Sequence, residues 1–247
     1  MQIGRNHTAT RGLVVSDLHL FARRSQGASH FKSLQDKLAD VDILVLNGDT
    51  FDFRWSTLAD EATTVTAALE WLGALADRHP HCQIHFIQGN HDCLISFRDQ
   101  LVALTEKLPR LQCHTNELRL GPALFLHGDC ANRRMDVAEL RRRRARWERS
   151  GQSGNLRCAA YRAIDRLGIT RRGHEWIFPR ERTVRRIAHY LDHASPDWRR
   201  QTRDCYFGHT HLPFSGHHFN GITFHNTGSA IEVRGMGFNP LFFDLPD

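Results

Sequence analysis

The stretch Leu13-Val-Val-Ser-Asp-Leu-His19 joins a short apolar run to two polar side chains of the kinds that bind metal ions in proteins. Such a run predicts a buried strand, and the polar group begins where this strand ends. The same arrangement recurs four times along the chain. The later groups are Asn47-Gly-Asp49, Gly89-Asn-His-Asp92, His127-Gly-Asp129 and Gly208-His-Thr-His211.

Strand and helix patterns alternate through the first two-thirds of the chain. Buried strands are predicted at residues 13–16, 43–46, 84–87 and 123–126, with later strands at 204–207 and 222–225. Helices are predicted at 31–38, 59–76 and 97–108, the last ending before Pro109. This alternation predicts an α/β fold, in which sites form beyond the carboxyl ends of the strands.

In two of the polar groups, the ligand candidates are separated by one intervening residue. If Asp17 to His19 and His209 to His211 are extended, each pair points to one side and can face one ion. Gly48 and Gly208 permit tight backbone turns beside these residues. The mixture of carboxylate, imidazole and amide donors suits Mn²⁺, Fe or Zn²⁺, and is too rich in nitrogen for Ca²⁺.

Positive charge is concentrated in one segment. The net charge is +6, yet 20 arginines, no lysines and 9 acidic residues lie between Cys130 and Tyr206. Helical composition at 133–149, 156–167 and 179–194 predicts a basic helical insert that faces an anion. The run Arg141–Arg144 covers all sides of a helix, so a solvated face is the plainer interpretation.

Three tryptophans accompany this basic segment. Trp147, Trp176 and Trp198 could stack on bases, lie at a membrane surface or form the core of the insert.

Composition narrows the class of protein. No run of about 18 apolar residues is present, which argues against a membrane-spanning helix. Residues 1–11 lack the apolar region of a signal peptide, so the expected location is the cytoplasm. The six cysteines are scattered without a C-x-x-C pair, which argues against a disulfide framework or a zinc knuckle.

Taken in order, the five polar groups resemble the motifs of the calcineurin-like metallophosphoesterase superfamily. The resemblance extends over roughly residues 12–229 and includes Asn226-Thr-Gly-Ser229. It implies an α/β sandwich of two mixed β-sheets flanked by helices. The expected organisation is a single domain over residues 1–247, with the basic helical insert, or lid, at about 130–203.

The resemblance also implies roles for individual residues around two divalent metal ions, with Mn²⁺ the first expectation and Fe or Zn²⁺ the alternatives. One ion would be held by Asp17, His19, Asp49 and His211, and the other by Asp49, Asn90, His127 and His209. Asp49 would bridge them. His91 would lie beside the leaving group, with Asp92 orienting it and Asp52 in support. Asp129 is expected to support the site rather than bind metal.

The expected chemistry follows from general principles. Two cations about 3.5–4 Å apart clamp a phosphoryl group and lower the pKa of a bound water molecule. The resulting metal-bound hydroxide attacks phosphorus, and a histidine at position 91 can protonate the leaving oxygen near neutral pH.

Within the superfamily, the chain is most similar to the UDP-2,3-diacylglucosamine pyrophosphohydrolases of lipid A synthesis. The similarity rests on Ser16-Asp-Leu-His-Leu20, the compact length and the basic insert. It implies hydrolysis of the pyrophosphate bond of a lipid-linked nucleotide sugar and peripheral contact with the inner membrane. The candidate contacts to this anionic substrate are Arg133, Arg134, Arg141, Arg157 and Arg162.

Two features depart from that enzyme family. His91 stands where the family has arginine, and Cys130-Ala-Asn-Arg-Arg-Met135 replaces an acidic run. The alternatives are a phosphomonoesterase or phosphodiesterase acting on a soluble nucleotide, a phosphoprotein or, less favoured, nucleic acid, and a non-catalytic metal-bound scaffold. A scaffold has no use for a placed acid, so His91 argues against it. The sequence leaves the oligomeric state open.

Overall fold

The computed structural model of the protein describes residues 9–149, 173, 175–231 and 237–246. These residues contain ten strands. They are β1 (Ala9–Val15), β2 (Ile43–Asn47), β3 (Gln83–Ile87), β4 (Leu111–His114), β5 (Glu117–Leu120), β6 (Ala123–Leu126), β7 (Asp204–Phe207), β8 (Phe214–Phe219), β9 (Ile222–Asn226) and β10 (Leu241–Pro246).

The strands form two mixed sheets of five. The first has the order β10-β1-β2-β3-β4, in which β1 to β4 are parallel and β10 is antiparallel to β1. The second has the order β5-β6-β7-β9-β8, with β6, β7 and β9 parallel and the two outer strands antiparallel. The predicted α/β architecture with two mixed sheets is confirmed.

Seven α-helices that lie wholly within the described residues cover the outer faces of the sheets, and residues 173 and 175–177 are helical as well. They are α1 (Gly27–Lys32), α2 (Gln35–Leu38), α3 (Glu61–Arg78), α4 (Ile95–Lys107), α5 (Val137–Arg144), α6 (Arg180–Ala194) and α7 (Trp198–Gln201). Helices α1 to α4 pack on the first sheet. Helices α5, α6 and α7 pack on the second, where a 3₁₀ turn at Asp129–Asn132 follows β6.

Alternating side chains of each central strand enter different cores. In β1, Leu13 and Val15 face the helices, whereas Val14 packs between the sheets against residues such as Phe125 and Phe243. Both faces of the strand are therefore buried, which explains its continuous apolar run. The layers are helix, sheet, sheet, helix.

Several predicted elements differ in extent. The helix predicted at 31–38 is two short helices, α1 and α2, separated at residues 33–34. The helix predicted at 133–149 begins only at Val137, because the side chain of Asp136 accepts a hydrogen bond from the Glu139 N–H and caps it. The sequence analysis predicted no strand at the positions of β4, β5, β8 and β10. The helix predicted at 156–167 lies outside the described residues.

Among the helices that the structure describes, none has the length and apolar character needed to cross a bilayer.

Candidate metal centre

Five loops bring the predicted ligands to one region of the molecule. Strands β1, β2 and β3 end just before the loops that carry Asp17, Asp49 and Asn90. Strands β6 and β7 end before His127 and His209. Because neighbouring strands in each set are parallel, their carboxyl ends lie at the same edge of each sheet.

The turns that carry the ligands are not extended, contrary to the sequence-based expectation. Left-handed φ angles occur at Asp17 (51°), His19 (46°), Asp49 (50°), His209 (63°) and His211 (58°). A non-glycine residue in this conformation costs on the order of 1–3 kcal/mol, which the surrounding structure must supply. Hydrogen bonds from the Asp17 N–H to Gly48 O (3.0 Å) and from the His19 N–H to Asp49 O (2.9 Å) fix the first turn.

Glycines permit the close approach of these loops. A Cβ atom on Gly208 would lie 2.1 Å from Oδ2 of Asp17. Gly48 has a φ of +85°, and a Cβ atom there would lie 2.4 Å from Nδ1 of His127. Any larger residue at either position would push a predicted ligand out of place.

The first ligand cluster consists of Asp17, His19 and His211. The Nε2 atom of His211 lies 3.2 Å from Oδ1 of Asp17 and 3.4 Å from Nε2 of His19. Ligands that bind one ion at about 2.0–2.2 Å lie roughly 3–3.5 Å from one another. Oδ1 of Asp17 is buried without a hydrogen bond, so an acceptor without a donor faces two imidazole nitrogens. This arrangement fits a divalent cation.

The second cluster consists of Asp49, His127 and His209, with Asn90 beside them. The Nε2 atom of His127 lies 3.3 Å from Oδ2 of Asp49, 3.3 Å from Oδ1 of Asn90 and 3.2 Å from Nδ1 of His209. Two oxygens and two nitrogens therefore converge at the spacing expected for one ion.

Asp49 lies between the two clusters. Its Oδ2 atom is 3.8 Å from Nε2 of His19 and 3.3 Å from Nε2 of His127. Its other oxygen, Oδ1, accepts a hydrogen bond of 2.8 Å from the backbone N–H of His91. One carboxylate oxygen thus faces both clusters, which is the position that a bridging ligand requires.

The charges of the clusters favour cation binding. Although burial raises the pKa of Asp17, its ion-pair contacts with His19 and His211 hold that pKa well below its usual range. Burial likewise raises the pKa of Asp49, and the charges of His127 and His91 more than offset it. Both carboxyl groups are therefore ionised. Burial and the charge of His127 lower the pKa of His209 to about 3, which keeps its imidazole neutral. Burial lowers the pKa of His127, but the charge of Asp49 more than offsets this and raises it to about 9, so a metal ion bound there must displace that proton.

The residue beside His91 is Asp52, and the expectation that Asp92 orients it is wrong. The Nδ1 atom of His91 lies 3.1 Å from Oδ2 of Asp52, in an ion-pair contact without hydrogen-bond alignment. Asp92 instead accepts hydrogen bonds from the backbone N–H groups of Gly89 (2.6 Å) and Thr50 (2.8 Å). It therefore joins the β2 and β3 loops and has no contact with the imidazole in the described structure.

Asp52 also contacts a predicted ligand. Its Oδ2 atom lies 3.2 Å from Nδ1 of His19, whose Nε2 faces the first cluster. A carboxylate behind a ligand histidine fixes the tautomer and the orientation of the ring. Burial by itself lowers the pKa of His91, and the charges of Asp52 and Asp49 raise it above its ordinary value.

Comparison with known protein families identifies the family of this chain. The model of the calcineurin-like phosphoesterase family matches residues 10–224. The chain belongs to this family. It is a hydrolase, and the family depends on two metal ions. No curated protein matches the chain.

Several solved structures are similar to this phosphoesterase at low identity. Phosphopantetheinyl hydrolase from Mycobacterium tuberculosis is 16% identical, with 90% of this chain and 91% of that chain covered and a TM-score of 0.46. A dimetal phosphatase from Danio rerio is 13% identical, with coverage of 92% and 89% and a TM-score of 0.46. YfcE, a phosphoesterase from E. coli, is 15% identical, with coverage of 92% and 84% and a TM-score of 0.43.

Behind the second cluster, Asp129 of the phosphoesterase forms a buried ion pair with Arg144. Nε and Nη2 of Arg144 each donate to one oxygen of Asp129 at 2.8 Å. Arg144 Nη1 also donates to the carbonyl of Thr115 at 2.6 Å. The charge of Arg144 lowers the pKa of Asp129 to about 2 despite the opposing effect of burial. One member of the four-arginine run is therefore internal, whereas Arg141 and Arg142 are exposed.

Three further side chains lie near the site, although the sequence placed none of them there; Trp147 was expected to stack on bases, lie at a membrane surface or form the core of the insert. The indole of Trp147 lies 4.7 Å from the His91 imidazole, measured between ring centroids. The guanidinium of Arg54 lies 4.6 Å from the centre of the Trp147 ring. The ring of Phe178 is 6.0 Å from that of His209. No short motif marks these residues, because their places depend on long-range packing.

The arginines predicted to contact substrate are not part of the clusters. Arg133 is exposed and pairs with Glu139. Arg134 and Arg141 are also exposed. Arg157 and Arg162 lie outside the described residues.

Proposed function

We propose that this phosphoesterase hydrolyses phosphate esters or anhydrides with two divalent metal ions that share Asp49. The proposed ligands are Asp17, His19, Asp49 and His211 for one ion and Asp49, Asn90, His127 and His209 for the other. The observation that carries this proposal is the single oxygen, Oδ2 of Asp49, that faces both clusters. The mixed oxygen and nitrogen donors favour Mn²⁺, with Fe and Zn²⁺ as alternatives.

The residues of the chain have distinct tasks in this proposal. When bound, two such cations polarise a phosphoryl group and lower the pKa of a bound water molecule. Asp52 holds His19 in the tautomer that presents Nε2 to the site. His91, kept protonated by Asp52 and Asp49, donates a proton to the departing oxygen of the substrate.

The proposed substrate class is an anionic amphiphile, namely the pyrophosphate of a lipid-linked nucleotide sugar such as UDP-2,3-diacylglucosamine. Exposed apolar side chains support it, because Trp176 and Ile177 are 79% and 44% exposed directly before α6. The exposed arginines Arg180, Arg182 and Arg185 lie on that helix. An aromatic side chain beside basic residues suits the surface of an anionic membrane, where the protein would act as a peripheral partner.

A soluble phosphomonoester or phosphodiester is the second candidate. His91 favours it, because an alkoxide leaving group needs a proton far more than a phosphate leaving group does. The two candidates therefore differ in how strongly turnover depends on the acid.

A substrate screen on metal-reloaded protein tests the proposal. Metal-free protein would be reloaded with Mn²⁺ and offered the lipid-linked UDP sugar, p-nitrophenyl phosphate and bis-p-nitrophenyl phosphate, with Asp49→Asn as the control. If kcat/KM for release of UMP from the lipid-linked sugar is well above that for the chromogenic esters, the result supports the lipid-linked substrate. The opposite order supports the soluble substrate. If Asp49→Asn were as active as the wild type, the shared-metal proposal would be wrong.

A further inference from the structure

Trp147 contacts the side chain that is proposed to protonate the leaving group. The indole and the His91 imidazole are tilted by 45°, with 4.7 Å between ring centroids. His91 is largely enclosed, with 17% of its side chain exposed. Among the described residues, a second ring also lies close to His91: the imidazole of His19 is edge-on to it, with 4.8 Å between ring centroids.

The backbone on both sides of Trp147 is fixed. Its own N–H donates to the carbonyl of Arg144 at 2.7 Å, and Arg144 is held by the buried ion pair with Asp129. On the other side, the carbonyl of Glu148 accepts a hydrogen bond of 3.2 Å from the Ile95 N–H. Trp147 therefore stands on a segment tied both to the His127–Asp129 loop and to the start of α4.

The other contacts of His91 leave its ring angle weakly determined. The contact between Nδ1 and Asp52 has no hydrogen-bond alignment, so it attracts the ring without fixing its orientation. A flat indole restricts rotation of the neighbouring ring through packing. An acid must lie within hydrogen-bond reach of the departing oxygen, and a displacement of about 1 Å can cost about 100-fold in rate.

We infer that Trp147 is a positioning residue that holds the His91 imidazole toward the leaving group. This inference rests on the proposed function, since it concerns the acid of that reaction. It also assigns a role to the arginine-rich segment: the Arg144–Asp129 pair anchors an aromatic side chain beside the site. Hydrolysis of esters with poor leaving groups depends on Trp147, and hydrolysis of esters with good leaving groups does not.

The test compares leaving groups in Trp147→Leu and Trp147→Phe. With Mn²⁺-loaded protein, Trp147→Leu should lower kcat for phenyl phosphate by about 10- to 100-fold and for p-nitrophenyl phosphate by less than about 3-fold. KM should change little for either ester, and Trp147→Phe should recover most of the lost kcat. An equal loss for the two esters would show a general structural role and overturn the inference.

A double-variant comparison separates positioning from destabilisation. In a His91→Ala background, Trp147→Leu should cause no further loss on phenyl phosphate, because the group that it positions is gone. A further loss of the same size as in the wild type would overturn the inference. Absence of Mn²⁺-dependent turnover in the wild-type protein would instead count against the proposed function itself.

A measurement without metal or substrate gives an independent readout. Imidazole proton signals in NMR spectra of the metal-free protein identify His91 through the His91→Ala variant. The signal should move in Trp147→Leu because the ring current of the indole is lost, while the signals of His85 and His225 stay in place. An unchanged His91 signal would contradict the contact.

Discussion

Left-handed backbone at the predicted ligands gives the site its shape. Each such residue costs on the order of 1–3 kcal/mol, and five occur in the two clusters. The strain is concentrated where Asp17, Asp49 and the histidines of the last loop must turn inward over a short distance. Strained residues of this kind are typical of binding sites, because a relaxed turn would aim their side chains elsewhere.

His91→Ala tests the role of that residue. Since His91 faces Asp52 and lies outside both proposed ligand sets, the variant should keep its two metal ions. We expect kcat to fall by about 100- to 10,000-fold for phenyl phosphate and much less for p-nitrophenyl phosphate. Metal analysis beside steady-state kinetics provides the measurement. Loss of one equivalent of metal would show that His91 is a ligand instead.

For individual residues, the sequence predicts which side chains form the site, but not their backbone conformation or the side chains that they contact. The seven ligand candidates could be found because each directly follows an apolar run. The backbone angles at Asp17 and His19 could not, since an extended segment accounts for the spacing equally well. The pairing of His91 with Asp52 depends on two separate loops, and the family resemblance had implied Asp92 in that role instead.

Helix α5 shows how one element serves both stability and the site. Leu140 and Arg144 lie four residues apart and are both buried, so they form the inward face of the helix. The other arginines of the run face outward or to the side. The sequence-based interpretation of a solvated face therefore holds for Arg141 and Arg142 and fails for Arg144.

Arg144→Met should destabilise the protein strongly. The variant leaves Asp129 as a buried carboxylate without its partner, and breaking such a pair costs about 3–5 kcal/mol. Urea titrations measure the change in the free energy of unfolding. The matched control is Arg142→Met, an exposed position in the same run, which should change the value by no more than about 0.5 kcal/mol. If both variants changed the free energy of unfolding by the same small amount, the Arg144–Asp129 ion pair would contribute nothing to stability.

Strands β3 and β4 place His85 against His114, with 3.1 Å between Nδ1 and Nε2. Burial and the charge of His114 lower the pKa of His85 to about 4. The unfolded chain takes up this proton near pH 6.5, so acidification from pH 7 to 5 favours unfolding. Over this pH range, we expect the free energy of unfolding to fall by about 1–2 kcal/mol more in the wild-type protein than in His85→Gln. The control His218→Gln, at an exposed position, should behave like the wild type.

Strand and helix positions were partly predictable. Strands that pair in parallel inside the sheets contain apolar runs, so β1, β2, β3, β6, β7 and β9 were identified. Strands β5, β8 and β10 have mixed patterns because they lie at sheet edges and are only partly buried. Local sequence carries little information about such edges, whose pairing is decided by the neighbouring strand.

The whole molecule joins two sheets across a shared core, and the site forms where both sheets contribute loops. Packing of Val14 and Val45 against Phe125 and Tyr206 sets the distance between the two sets of strand ends. No local pattern predicts which sheet faces which. The convergence of the five groups into two clusters therefore followed from the resemblance to a family and from the structure, not from spacing.

Metal binding should stabilise the whole fold. The buried carboxylates of both clusters repel one another without cations, and a ligand at about 100 times its Kd adds about 2.7 kcal/mol per site. With two such sites in a chain of this size, we expect Tm to rise by about 10–20 °C when Mn²⁺ is added to chelated protein. Scanning calorimetry measures the shift, and Asp49→Asn should reduce it. A Tm independent of Mn²⁺ would contradict a site buried in the folded state.

The central claim is that two metal ions share Asp49. Anomalous diffraction from crystals of Mn²⁺-loaded protein tests it most directly. We expect two peaks about 3.5–4 Å apart, one among Asp17, His19 and His211 and the other among Asn90, His127 and His209, with the Asp49 carboxylate between them. A single peak, or two peaks that do not share Asp49, would contradict the claim.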